Sequence, residues 1–357
     1  MSAETPFSSK RFLLALMLAA CSVILLQNHS LSENSSFLFE LASMAAGLAL
    51  CFLCFVPALL LRKLRNADIL RLSTRSPAHV KLPVAVFYAG YFVYTALYFL
   101  IPYTDMFHAK YYPGVSPCLI TVVLLGCCVY AAVKGVNVIT RFGIFLFLFA
   151  MLTNILMFGG NLNALELIAD SLSWQGSTDD FWQNTRYFLT PAFIAAVYAC
   201  LNAETNNFRL RQPVYALLFT GLKYAAVLFF IRFAVGAYAG RQEYPTFVLS
   251  RTAHFDRFAG VESFYLALAT MSVFMIVSLL LCCVTKAADR EKNLKTVVLF
   301  TLILLAMYTV SAYVDSVKEI LTDQTVFIIF TGIASLLPLI GLIGGRKSNA
   351  PTLVHSM

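Results

Sequence analysis

The sequence predicts an all-α polytopic membrane protein of ten transmembrane helices, and three observations carry that expectation. Ten long apolar stretches run through its 357 residues. Hydrophobic residues make up 60% and charged residues only 12%, with a mean hydropathy of +0.77, values foreign to a soluble domain of this length. Lys and Arg gather in alternate loops. About 20 apolar residues cross a hydrocarbon core of roughly 30 Å, so the stretches read as spans. They lie at 12–27, 37–61, 82–104, 118–133, 141–158, 187–203, 214–239, 262–285, 296–314 and 325–345. Backbone groups cannot stay unpaired in lipid, so each span is a helix, and no alternating barrel pattern competes.

The first span follows Lys10 and Arg11 as a signal peptide would. No small-residue cleavage site follows Gln27, and nine spans come after it, so it counts as the first helix. Residues 62–81 form a basic connection in which Ile69, Leu70 and Leu72 among the arginines suggest a short interfacial helix. Residues 159–186 form a long external loop, where Leu162, Leu165, Leu167 and Ile168 would line one side of a helix lying on the membrane. In residues 240–261 Pro245 breaks the chain, and Thr246 to Phe255 make a short amphipathic helix over the external mouth.

Orientation follows from charge, because positive residues are retained in the cytoplasm. With a cytoplasmic amino terminus, cytoplasmic segments hold 18 of the 26 basic residues and external loops six, while Lys223 and Arg232 lie inside the seventh span. Both termini are then cytoplasmic. The net charge of +8 is spread over five loops and two ends rather than one patch, which excludes a nucleic-acid interface. The nine cysteines all fall in or at the edge of spans. Cys51 and Cys54 have CxxC spacing but no second pair or nearby His, so no metal or cofactor is expected and small apolar packing explains them.

Cutting at the long loop leaves five spans in 12–158 and five in 187–345. Equal odd halves are inverted relative to each other, and a five-plus-five inverted repeat is a transporter architecture with its ligand site near the midplane.

Specific residues then point to a family. Tyr244-Pro245-Thr246, Arg251, Arg257 and Gly260-Val261-Glu262-Ser263-Phe264 resemble the YPT…R…RxE segment of the spore germination permeases. These are the B subunits of nutrient germinant receptors, relatives of the amino-acid/polyamine/organocation transporters. Gly135-Val136-Asn137-Val138-Ile139-Thr140-Arg141 is similar to that family's G-x-E-x-I-A-R segment, with Asn137 where an acidic residue is common. The resemblance implies a ligand-sensing subunit in the spore inner membrane that binds a small nutrient such as an amino acid. It also implies a larger membrane subunit and a lipoprotein as partners. The family usually unwinds its first helix at glycine, whereas Phe12 to Gln27 contains none. The sixth span lacks glycine too, although Pro191 frees a carbonyl and Ala195, Ala196 and Ala199 allow close approach.

Polar residues within spans are the site candidates, since each is costly in lipid unless paired or lining a cavity. Lys223, about a third of the way into its span from the cytoplasm, faces Glu204 as a partner; Arg232 has Glu40 or Glu262 within reach. These five are structural or gating charges. Tyr88, Tyr91, Tyr94 and Tyr98 form one helical stripe, either an aromatic packing face or the wall of a pocket with Tyr198 and Asn202. The expected pocket lies between the first, third, sixth and eighth spans, lined by Ser22, Tyr94, Tyr198, Asn202 and Thr270. Asn154 and Ser272 add polar groups near mid-depth. A secondary amino-acid transporter of the same fold is the alternative. A membrane acyltransferase is disfavoured because no His lies within a span, so no enzyme is expected.

Overall fold

The structure, a computed structural model, describes residues 7–26, 35–65, 69–70, 78–166, 174–201, 205–206, 211–255, 258–288 and 293–344. Its helices are α1 Ser9–Leu26, α2 Phe37–Arg65, α3 Ala78–Lys110, α4 Pro117–Lys134, α5 Val136–Gly159, α6 Thr178–Leu189, α7 Phe193–Leu201 and α8 Gln212–Phe230. Then follow α9 Pro245–Thr252, α10 Glu262–Ala287, α11 Leu294–Tyr313, α12 Asp315–Thr322 and α13 Gln324–Gly344. Two two-residue strand pairs complete it: Phe7–Ser8 runs parallel to Thr205–Asn206, and His254–Phe255 antiparallel to Phe258–Ala259.

Among the described residues eight helices are long and apolar enough to cross a membrane, and nine crossings result if α12 and α13, bent by 49° at Asp323, form one span. The expected sixth span is not a single helix. It divides into α6 and α7 at a 3-10 turn, Thr190–Ala192, because Pro191 has no N–H to continue the α-helical ladder. Nor does α6 begin at 187. It starts nine residues earlier in the expected loop, where Ser177 and Asp180 form a capping box and Asp179 adds a second acid at the positive helix end.

Gly135, at φ 87, is the whole connection between α4 and α5, which explains that glycine in the GVNVITR segment. Pro245 is the first residue of α9 rather than a breaker, since an N1 proline gives up only an orphan N–H. Of the expected interfacial helix in 62–81, Ile69 and Leu70 are helical and buried; 66–68 and 71–77 lie outside the described residues. Leu162 opens a 3-10 turn at Leu162–Ala164, and Leu167 and Ile168 lie outside them too.

The core centres on α1, α7 and α10. Every residue of α7 is buried, and α1 is buried from Ala15 onward except Met17. Around them α2 packs on α6 through Gly47, where an added Cβ would stand 2.7 Å from the Phe188 Cβ and 2.9 Å from the Thr185 carbonyl. Without a hydrophobic drive between helices in lipid, such close backbone approach supplies the packing. All nine cysteines are free thiols.

Candidate functional site

Helix α1 is held along its second half by its main chain. The Tyr224 hydroxyl donates to the Ala20 carbonyl at 2.8 Å, the Lys223 Nζ to Cys21 at 3.2 Å, the Thr246 hydroxyl to Ile24 at 3.1 Å and the Tyr265 hydroxyl to Leu25 at 2.7 Å. These donors come from α8, α9 and α10. The Ile24 and Leu25 carbonyls are orphans of the last turn; Ala20 and Cys21 accept a second bond beside the helical one.

The broken span lies against this half of α1. The Thr190–Ala192 turn contacts α1, α2 and α13, and the Cys51 thiol of α2 reaches the Leu189 carbonyl at 3.4 Å. Thr190 is fully buried and its hydroxyl has no hydrogen-bond partner in the structure. Just before the turn, Tyr187 lies within electrostatic reach of Tyr98, Tyr224 and Tyr265. A buried, unpartnered hydroxyl at a discontinuous helix makes a polar spot inside an apolar bundle, the type of place where a membrane protein receives a small polar ligand.

On the face away from the amino terminus, α9 seals the bundle. Asn161, at the end of α5, donates to the Met157 carbonyl at 2.7 Å and to the Leu249 carbonyl at 2.9 Å, and accepts from Thr252 at 2.9 Å. Gly160 has no side chain because Ala253 and the His254 N–H occupy its Cβ position. Phe247 packs on Tyr111 and Tyr265. Burial pushes the Tyr111 and Tyr244 phenols up, and Glu262 beside the first and Asp105 and Glu243 beside the second add to it, so both stay neutral donors. Beyond α8 a π-helical turn, Ile231–Val235, carries Arg232 inward. Its guanidinium forms a bidentate pair with Glu40 and donates to the Ser35 hydroxyl at 2.8 Å, all three residues buried. Of the two carboxylates the sequence offers Arg232, the structure uses Glu40. Glu262 instead gives its main-chain carbonyl to Tyr111.

The face bearing the amino terminus is tied differently. Ser9 donates to Gln212 at 2.6 Å beside the Phe7–Ser8 strand pair. Next to it lies a recess lined by Phe12, Leu16, Phe55, Tyr198 and Ala216, with room for roughly one water molecule.

The expected pocket residues go to separate neighbourhoods. Ser22 bonds its own helix at Leu18. Tyr198 stacks on Phe12 and meets Phe55 edge-on in the small recess. Thr270 pairs with Tyr103 at 2.8 Å. The phenol stripe faces α13: Tyr88 donates to Ala334, Tyr91 pairs with Thr331, and Tyr94 and Tyr98 pack on Phe327. The Tyr88 and Tyr91 hydroxyls find partners on that helix, whereas the Tyr94 hydroxyl has none among the described residues. Asn202 and Glu204 lie outside the described residues. Lys223 is the twelfth of the 24 residues in the span Gln212–Val235, midway rather than a third of the way in, and its acceptor is the Cys21 carbonyl.

Sequence reasoning missed Tyr187, Thr190, Tyr224, Tyr265 and Lys286. Lys286, assigned to a cytoplasmic connection, is buried in the last turn of α10 and donates to the Cys200 carbonyl at 2.7 Å. Tyr224 and Tyr265 each carry a polar tip into an apolar stretch, which is the signal that flags them.

A multi-span helical bundle with a buried polar spot at a broken helix is the architecture of a polytopic membrane protein. The family model described as a spore germination protein matches residues 8–290, and the chain belongs to that family. A search of curated proteins finds no match.

Proposed function

We propose that this chain is the membrane-embedded ligand-sensing subunit of a spore germinant receptor, binding a small nutrient such as an amino acid near the membrane midplane. The observation that carries it is the Thr190–Ala192 break, with its buried, unpaired hydroxyl against the second half of α1. In this reading α6 and α7 form the sixth of ten spans, α12 and α13 the tenth, and 12–158 and 187–345 are inverted five-helix halves. Both termini are cytoplasmic, so α9 covers the external side. Thr190 and Tyr187 bound the ligand; the other candidates, Ser22, Tyr94, Tyr198, Asn202 and Thr270, act at a distance, through the packing of the segments that carry them. Arg232 with Glu40 holds the external cover, and Lys223, Glu204 and Glu262 complete the set of gating or structural charges. A larger membrane subunit and a lipoprotein receive the signal, because a ligand biases an equilibrium only through differential affinity for two states and the shift has to reach a neighbour.

The test is thermal unfolding of the detergent-purified chain against each amino acid in turn. At least one raises the midpoint, and Thr190→Val and Tyr187→Phe abolish that shift at normal abundance. A shift that survives both variants removes the ligand from the break. A secondary amino-acid transporter is the second reading, and uptake of labelled amino acid by liposomes containing this chain alone would establish it instead.

A further inference from the structure

Two ring contacts place α5 and α8 side by side, running in the same direction along α1. Phe147 meets Phe219 with centroids 6.1 Å apart, and eleven residues further along both helices Phe158 meets Phe230 at 4.6 Å. Eleven residues are about three turns, so 147, 151, 154 and 158 share one face and 219, 223, 226 and 230 the face opposite. Both helices pack on α1, whose Ala15 lies at Gly143 and whose Cys21 accepts from Lys223. The outcome is a groove floored by α1 and barred at either end by a phenylalanine pair. Between the bars stand Met151, Asn154, Lys223 and Ala226, and all but Asn154 are half-buried. Ala226, one turn on from Lys223, has the smallest side chain of the four.

Two polar groups in this groove lack partners that a bilayer demands. The Lys223 ammonium has three donors and one acceptor, the Cys21 carbonyl, with no carboxylate near it among the described residues. Asn154 is 9% exposed, and its Oδ1 has no hydrogen-bond partner. An ionised group within a span is costly until it is paired.

We propose that the groove between α5 and α8 docks a transmembrane helix of another chain, which brings an Asp or Glu carboxylate at mid-depth to Lys223 and a hydrogen-bond donor to Asn154. Depth selects this occupant. Lys223 lies about 16 Å along α8, half of a core of roughly 30 Å, out of reach of lipid headgroups and of a fatty acid's interfacial carboxylate. A second copy of this chain has nothing to offer. Each of its 18 acidic residues lies in a tail, between the apolar stretches, or within two turns of a helix end.

The test is photo-crosslinking in native membranes with benzoylphenylalanine in place of Ala226, followed by sequencing of the adduct. The expected adduct is one helix of a different chain with an Asp or Glu in its middle third. Lys223→Met lowers its yield at least tenfold, Lys223→Arg retains it, and neutralising that acid in the partner lowers it equally. If Lys223→Met fails to accumulate, Asn154→Leu and the partner-side neutralisation make the same measurement. If the bulky probe at 226 itself blocks docking, the same probe at Met151, a larger residue than alanine on the opposite wall, reads the groove from the α5 side. Adducts to lipid alone, to a second copy, or to a helix without an intramembrane acid overturn the proposal, as does a yield indifferent to these changes. None of these readouts involves a nutrient, so the result stands apart from the ligand site.

Discussion

The two ends of α1 are secured by different means. At its far end Ile24 and Leu25 are bonded by Thr246 and Tyr265, α9 is stitched to Asn161, and Arg232, Glu40 and Ser35 form a buried ionic knot. At its near end the side-chain bond from Ser9 to Gln212 and a two-residue strand pair are what the described residues show at the entry to α1, beside a water-sized recess. Buried polar bonds in a water-poor setting are costly to break, and partly exposed ones are not. Among the described residues the amino-terminal end of α1 is therefore the more weakly held of the two, although the buried bond from Lys286 to Cys200 ties α10 to the end of α7.

Arg232→Ala breaks the strongest of these ties. It leaves Glu40 charged and unpaired, at a cost of about 3–5 kcal/mol, and the thermal midpoint in detergent falls accordingly. The double variant Arg232→Met with Glu40→Leu regains most of that loss. A double variant no better than the single would mean that the ionic knot does not secure the far face.

Asn161→Ala removes one donated and one accepted bond that attach α9, to Leu249 and from Thr252, together with the bond to Met157 of α5, for roughly 1–3 kcal/mol. The effect is local. A cysteine replacing buried Phe247 turns reactive to a water-soluble maleimide in this background and stays protected without it. Equal protection in both would detach α9 from Asn161.

Ser9→Ala gives the smallest change, on the order of 1 kcal/mol or less, because its partner Gln212 is half-buried and can turn to water. Labelling of a cysteine at Phe12 speeds up while the midpoint hardly moves. A midpoint loss exceeding that of Asn161→Ala would reverse the ranking of the two faces.

Most helices were legible in the sequence because an apolar stretch of about 20 residues has one solution in lipid. The break in the sixth stretch was half-legible. Pro191 announced a freed carbonyl, but the start of α6 at Ser177 hid in a polar loop, since a capping box reads like any cluster of Ser and Asp. Partner choice was the least legible. Arg232 had two carboxylates at similar depth, and only the π-helical turn, which reorients the side chain, selects Glu40. The phenol stripe was visible as a stripe, but which neighbour it faces depends on how α3 and α13 pack across some 240 residues of chain, as in the Tyr91 to Thr331 pair. Lys286 looked like an orientation signal because charge count weighs every lysine alike, whether it ends in solvent or on the Cys200 carbonyl.

Apart from the weak contact of the Cys21 thiol with Thr220, the bonds that fasten the second half of α1 to its neighbours end on its peptide carbonyls, at Ala20, Cys21, Ile24 and Leu25. Every residue type carries that carbonyl, so the fastening is indifferent to which side chains α1 displays at these positions. Attachment and display are separable properties of this helix: its surface can be rewritten for a different ligand while the tyrosines, threonine and lysine that grip it stay as they are.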